Sequence, residues 1–332
     1  MTWSIQSKGS IQVQTHRKIA LEEHFMMPGF EEYSNSFLSF IDPATQKELA
    51  QRLNDFDELR LDEMDRAAID LVVLSQSGPG VQAEPDGQAA IAKARANNDF
   101  LAERIARHPE RYAGFAMLPM HDPLEAAREL ERCVAQMGFK GSLVNGHTLG
   151  RYYESRDYDP FWARMQELDV PMYLHPAYPW RPLHALEGMP VLTGASWGWG
   201  VETASHALRL LFGGVFDRFP GLKVILGHMG EFLPFQRWRL DSRFAAYPFG
   251  IELERQPSQY IGSNLVITTS GVCSHPTLLG AVGEIGADAV MFSVDYPYES
   301  TEAAAAFIDS APLPPDQLEA ICHGNAARLL KL

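Results

Sequence analysis

The chain has 332 residues, 46% of them hydrophobic, and a formal net charge of −14. Lys and Arg are scattered along it and form no stripe, so the acidic field excludes a nucleic-acid partner over most of the surface. No apolar run approaches the roughly 20 residues of a membrane helix, which excludes a membrane span of that kind.

The opening segment, residues 1–17, is polar and lacks the apolar stretch of a secretory signal, so it reads as a flexible tail. Cys133, Cys273 and Cys322 are widely spaced, odd in number and in no CxxC pattern. They argue against a disulfide framework or a zinc ribbon, and they fit a reducing cytoplasm.

From residue 18 onward, short β-branched runs alternate with stretches of helical period, the pattern of βα units around a parallel sheet. Strands are expected at 18–24, 70–76, 112–119, 138–145, 171–175, 222–228, 264–270 and 289–295. Helices are expected at 57–68, 123–137 and 202–216, where apolar residues recur at three- and four-residue spacing. Residues 26–56 and 176–200 read as long irregular connections rich in aromatic, Pro and Gly residues, inserted after the first and fifth strands. Both follow strand C-termini, where barrel enzymes carry lids. No repeat, low-complexity tract or linker interrupts the pattern. The expectation is an α/β fold, a (β/α)₈ TIM barrel forming one domain over residues 18–332.

Parallel barrel strands present their C-terminal ends on one face, so chemistry at strand ends converges. Four strands end in side chains able to ligate a metal: Glu22 and His24 on the first, His175 on the fifth, His228 on the sixth and Asp295 on the eighth. Glu22 and His24 are two apart and share a side of their strand, whereas Glu23 points the other way. A mixed set of imidazoles and carboxylates suits Zn²⁺ or Mn²⁺ better than Ca²⁺, which prefers an all-oxygen shell. A single such residue is as often a hydrogen-bonded core group; five at four strand ends point to a metal site. Among the other histidines, His147 is a candidate pocket residue because it lies two residues beyond Asn145. His206, four after Glu202 on a helix, is read as structural.

These residues resemble the metal-dependent decarboxylase branch of the amidohydrolase superfamily, whose members include the γ-resorcylate (2,6-dihydroxybenzoate), 2,3-dihydroxybenzoate and salicylate decarboxylases. The segments that carry the likeness run from about Lys18 to Leu332. They include ALEEHF (20–25), LVNG (143–146), LDVPMYLHP (168–176), LGHMGEFLPFQRWRLD (226–241), FSVDYPYE (292–299) and GNAARLLKL (324–332). The resemblance implies Glu22, His24, His175 and Asp295 as ligands of one divalent metal, Mn²⁺ or Zn²⁺ with Mg²⁺ as an alternative, and no organic cofactor. It makes His228 catalytic with Glu231 as its orienting partner, and Asp295 the proton donor. Asn145, Trp197 and Tyr298 would line the ring pocket, and Arg239 would reach the substrate of a neighbouring subunit in a homodimer or homotetramer. One departure is PAYPWRPLH after His175, where the γ-resorcylate enzymes carry an arginine and an asparagine just after HP.

The expected reaction is non-oxidative decarboxylation of an ortho-hydroxybenzoate to the phenol and CO₂. Trp197, Tyr298 and Phe25 offer aromatic walls and Arg239 an anion clamp, which suit a small aromatic carboxylate. The alternative is a hydrolase of a lactone or amide on the same scaffold, using nearly the same ligands.

Overall fold

A computed structural model of the chain describes residues 16–33 and 41–332. Of the expected tail, residues 1–15 lie outside the described residues, while the His16 N–H already donates to Asp309 and the Arg17 side chain to Asp70.

Among the described residues there are eight strands: β1 (Lys18–Phe25), β2 (Ile69–Gln76), β3 (Tyr112–Gly114), β4 (Ser142–Asn145), β5 (Met172–His175), β6 (Val224–Leu226), β7 (Leu265–Thr268) and β8 (Val290–Met291). The first three pair in order as one parallel sheet and the other five as a second. Isolated parallel bridges, Ala116 to Ser142 and Glu23 to Tyr296, join the sheets at both edges and complete a ring. β3 is shorter than expected because, past Gly114, the chain meets its neighbour only through single bonds such as Ala116 N–H to Gly141 O.

Local chemistry explains the helix boundaries. Asp122 accepts the N–H groups of Leu124 and Glu125, Pro123 opens the helix Pro123–Met137, and Gly138 ends it in the left-handed region. The expected 57–68 helix is trimmed to Leu59–Arg66. The expected 202–216 helix instead spans Gly198–Phe212, then breaks at Gly214, whose φ is +69°. Residues 26–56 are not irregular throughout: Pro43–Asn54 is helical, capped by Asp42, whose side chain accepts from Ala44 and Thr45. No helix among the described residues is long and apolar enough to cross a membrane.

Strand alternation sorts the core. Leu143, Tyr173, Ile225, Val266 and Met291 point into the barrel together with Ile19 and Leu21, and Ala326 and Leu330 of the C-terminal helix Asn325–Leu330 pack against the same cluster. On β1 the alternation is broken once. Ala20 pairs with Val72 and Glu23 with Leu74, so β1 spends one residue more than β2 over that interval, a β-bulge. The Ser293 hydroxyl accepts both N–H groups, of Leu21 (2.8 Å) and Glu22 (2.7 Å), that the bulge frees. Before the bulge odd-numbered residues face inward; after it Glu22 and His24 do.

The same switch corrects the expectation for Phe25. It lies on the opposite side from His24, fully buried among the outer helices, with its ring 5.7 Å from Phe56 and 6.1 Å from Phe100. Phe25 is a core residue and lines no wall of the pocket described below. Phe25→Ala is expected to lower the unfolding free energy by about 3–5 kcal/mol in chemical denaturation, the cost of a large aromatic removed from a packed core. A loss below about 1 kcal/mol would contradict that placement.

Candidate metal centre

The inward-facing ends of β1 and β5 and the segment past β8, which ends at Met291 and so stops short of the expected 289–295 strand, bring Glu22, His24, His175 and Asp295 together, one ligand atom from each lying within 4.8 Å of all the others. His24 Nε2 is 3.4 Å from Asp295 Oδ1, and His175 Nε2 is 3.4 Å from Glu22 Oε1. Four donors each about 2.1 Å from a shared tetrahedral ion stand about 3.4 Å apart, the separation of these two pairs, while the set as a whole is more open, spreading to 4.8 Å. Glu22 Oε1 and His24 Nε2 are buried polar atoms without a hydrogen-bond partner, and both face this space. Buried polar atoms are rarely left so unless something else binds them. Two imidazole nitrogens and two carboxylate oxygens form the donor set that Mn²⁺ or Zn²⁺ accepts.

Each ligand is oriented from behind. The Pro176 carbonyl lies 2.9 Å from His175 Nδ1, which places the proton there and frees Nε2 for the centre. Ser75 Oγ sits 3.2 Å from His24 Nδ1. The Tyr173 hydroxyl donates to Glu22 Oε2 and lies 2.7 Å from Thr268 Oγ1. Sequence reasoning missed Tyr173, Ser75 and Thr268. Tyr173 carried a usable signal, since it stands two residues before His175 and must share its face.

His228 stands beside the cluster, its Nε2 3.5 Å from Asp295 Oδ2 and 4.0 Å from Glu22 Oε1, while Glu231 Oε1 holds its Nδ1 at 2.7 Å. Burial alone would lower the His228 imidazole, but the charges of Glu231 and Glu22 outweigh it and hold the group well above its ordinary range. Burial, reinforced by His24, holds His175 well below that range. For Asp295 burial works upward, yet the neighbouring His228 and His24 imidazoles prevail and its carboxyl lies lower than usual. Burial raises Glu22.

Backbone conformation aims these groups. His228, Met229, Gly230, Glu231 and Phe232 are consecutive residues with φ between +49° and +76°, and Asp295 has φ +79°. Non-glycine residues rarely adopt this region, and such strain persists where the surroundings over-determine it.

Above the centre opens a pocket of about 890 Å³. Asn145, Trp197 and Tyr298 line it, with His147. The Tyr298 ring lies 5.8 Å from His24 and its hydroxyl 2.6 Å from Ser77 Oγ. Trp197 packs against Phe232 at 5.4 Å. His147 buttresses the wall: its Nδ1 accepts the Gly150 N–H, so its Nε2 donates to the Tyr178 carbonyl at 3.1 Å. His206 meets Glu202 through an intermediary, since the Tyr152 hydroxyl donates to Glu202 and its ring packs edge-on to His206. Trp180 and Trp199 are further wall residues that strand-end reasoning could not find: Trp180 comes from the connection after β5, and Trp199 from the first turn of the helix Gly198–Phe212, which was expected to start only at residue 202. Arg239 is exposed on the helix Arg237–Ala246 and does not line its own chain's pocket.

Gly227 tests the arrangement. A Cβ there would stand 2.6 Å from Glu22 Oε2 and 3.1 Å from the Tyr173 hydroxyl, while its φ of −68° makes the backbone itself permissive for alanine. Gly227→Ala is expected to displace the Glu22 carboxylate and weaken Mn²⁺ binding by about 10–100-fold in a metal titration. Unchanged affinity would mean that Glu22 is no ligand.

The amidohydrolase family profile matches residues 27–332. A γ-resorcylate decarboxylase of Polaromonas sp. strain JS666 is 44% identical over 329 residues, covering 95% of this chain and 98% of that protein. A crystal structure of 2,6-dihydroxybenzoate decarboxylase complexed with 2,6-dihydroxybenzoate superposes with a TM-score of 0.89 at 42% identity, covering 96% of this chain and 100% of that one. The dihydroxybenzoic acid decarboxylase of Polaromonas sp. JS666, solved with bound manganese and the inhibitor 2-nitroresorcinol, gives 0.88 at 43% identity, covering 96% and 97%. A profile match over most of the length, together with full-length relatives above 40% identity, establishes that the chain belongs to the amidohydrolase family.

Proposed function

We propose that this protein is a metal-dependent carboxy-lyase that removes CO₂ from an ortho-hydroxybenzoate of the 2,6-dihydroxybenzoate type. The observation that carries the reading is a candidate cation site at the floor of a pocket walled by flat aromatic and apolar side chains. Full-length likeness to γ-resorcylate decarboxylases supports it. On a chain of net charge −14, a divalent ion held there would supply the local positive charge an aromatic carboxylate needs.

When bound, the divalent ion would neutralise the carboxylate and its ortho oxygen and fix the ring in place. Direct loss of CO₂ would leave an aryl carbanion, so protonation of the carboxyl-bearing ring carbon comes first. In this reading Asp295 delivers that proton, having taken it from the ortho phenol as the substrate binds. The ring loses aromaticity, then the carbon–carbon bond breaks and its electron pair returns to the ring as CO₂ departs. His228, held by Glu231 with its Nε2 3.5 Å from Asp295 Oδ2, assists the proton transfer in this reading. Asn145, Trp197 and Tyr298 hold the ring by edge and face contacts.

Arg239, exposed beside Trp238 at 79% exposure, belongs in this reading to the pocket of a second copy. Phe249 (91%) and Tyr247 (60%), beyond the end of the same helix, are further exposed aromatic side chains, which supports a homo-oligomer. The free thiols of Cys133, Cys273 and Cys322 support a cytoplasmic setting.

Three outcomes are expected. The Mn²⁺-loaded protein releases CO₂ from 2,6-dihydroxybenzoate, loses this activity on chelation and regains it with Mn²⁺; turnover of a lactone panel with no CO₂ from any hydroxybenzoate would overturn the assignment. Asp295→Asn lowers kcat by about 10²–10⁴-fold, the range for a general acid, whereas an unchanged kcat would remove it from the chemistry. Arg239→Ala and Asp295→Asn protomers, each weakly active alone, regain activity when mixed and reassembled; failure to complement would place Arg239 outside any neighbour's site.

A further inference from the structure

We propose that Glu23 and Arg60, on the outer face of β1, are positioning residues that hold the backbone of Asp295 and His24 in the geometry the metal centre requires. Neither touches the centre. The bulge that turns Glu22 and His24 inward turns Glu23 outward, into the layer between the barrel and the helix Leu59–Arg66. Both side chains are 2% exposed.

Their bonds end on the residues around the ligands. Glu23 Oε1 accepts the N–H of Val294 at 2.9 Å, the residue before Asp295. The Arg60 guanidinium lies over the ring of Tyr296, the residue after Asp295, 4.2 Å from its centroid. Arg60 Nη2 donates to the carbonyl of His24 at 2.6 Å, and its Nε donates to the Asp55 carbonyl at 3.2 Å, which anchors the guanidinium to the preceding loop. Two outer side chains thus hold Val294, Tyr296 and His24, bracketing one ligand and gripping the main chain of another.

Asp295 needs such a grip. Its φ of +79° is a conformation an aspartate leaves unless held, and it places the carboxylate 3.4 Å from His24 Nε2 and 3.5 Å from His228 Nε2. Main-chain bonds from Asp295 N–H to the Glu22 carbonyl (3.1 Å) and from His24 N–H to the Tyr296 carbonyl (2.7 Å) fix the strand edges to each other. They leave the Val294 N–H to Glu23. Apolar residues could fill the same layer without the cost of burying polar groups, a cost that the bonds of Glu23 and Arg60 offset in part, since Arg60 Nη1 is buried without a partner. If Glu23 loses its acceptor, the Asp295 segment relaxes and the carboxylate turns from the centre.

The proposal rests on the metal-centre reading, and its test has an arm that needs no substrate. The full-length chain is freed of metal by chelation and titrated with Mn²⁺ while free ion is followed by electron paramagnetic resonance; the loaded enzyme is then assayed on 2,6-dihydroxybenzoate. Glu23→Leu is expected to weaken Mn²⁺ binding and lower kcat, each by about tenfold or more, with KM changed by less than about threefold, as for residues that orient metal ligands. Glu23→Gln, which keeps an oxygen for the Val294 N–H, restores both to wild-type levels. Arg60→Met, which keeps an apolar stem and loses the donors, shows the same weakening of Mn²⁺ binding and decides the matter if the leucine variant does not fold. Wild-type Mn²⁺ affinity in a folded Glu23→Leu or Arg60→Met protein, or equal losses in the glutamine and leucine variants, would overturn the assignment. Wild-type protein that binds Mn²⁺ but releases no CO₂ would overturn the proposed function alone.

Discussion

Two carboxylates and three imidazoles share one buried space at the C-terminal end of the barrel, and the structure around them is arranged to meet the cost of that crowding. Buried carboxylates repel each other and lose their hydration, and burial alone would neutralise them. A divalent cation reverses the balance by becoming the largest local charge and taking the lone pairs that no protein donor meets. Glu22 Oε1 and His24 Nε2 are where that demand shows most directly.

The barrel meets the demand by backbone means more than by side-chain variety. One extra residue in β1, stabilised by the Ser293 hydroxyl, converts an apolar inner face carrying Ile19 and Leu21 into a polar one carrying Glu22 and His24. Left-handed residues from His228 to Phe232 swing the His228–Glu231 pair over the mouth, and Asp295 adopts the same region from the opposite side. Close approaches then exclude larger residues: Gly227 leaves room for the Glu22 carboxylate, and Gly271 for the His228 ring, 3.1 Å from where its Cβ would stand. Below this layer the barrel is packed with apolar side chains, so ionisable chemistry is confined to one end.

Much of this was legible in the residues, and the failures have physical causes. The eight strands could be read because their β-branched runs repeat, and the ligand set because parallel strands must end on one face. Phe25 was misassigned although the alternation that places His24 inward places Phe25 outward; its aromatic character was weighed ahead of its parity. The helix Pro43–Asn54 hid within a segment rich in aromatic residues, yet Asp42 followed by Pro43 is a helix-start signal that was present. The bulge was not legible, because it depends on Ser293, 271 residues from Glu22. The left-handed run from His228 was equally hidden, since four of its five residues are not glycine and only tertiary contacts hold them there. Wall residues from 176–200 were unreadable for a related reason: a connection without periodicity does not announce which side chains turn inward.

The claim on which the rest depends is that side chains from β1, β5 and the segment past β8 hold a single ion. Anomalous diffraction from crystals grown with Mn²⁺, recorded at the manganese edge, tests it most directly. One strong anomalous peak per chain is expected, within coordination distance of Glu22, His24, His175 and Asp295. A peak bound elsewhere, or a fully loaded protein whose ion omits two or more of these four residues, would contradict it.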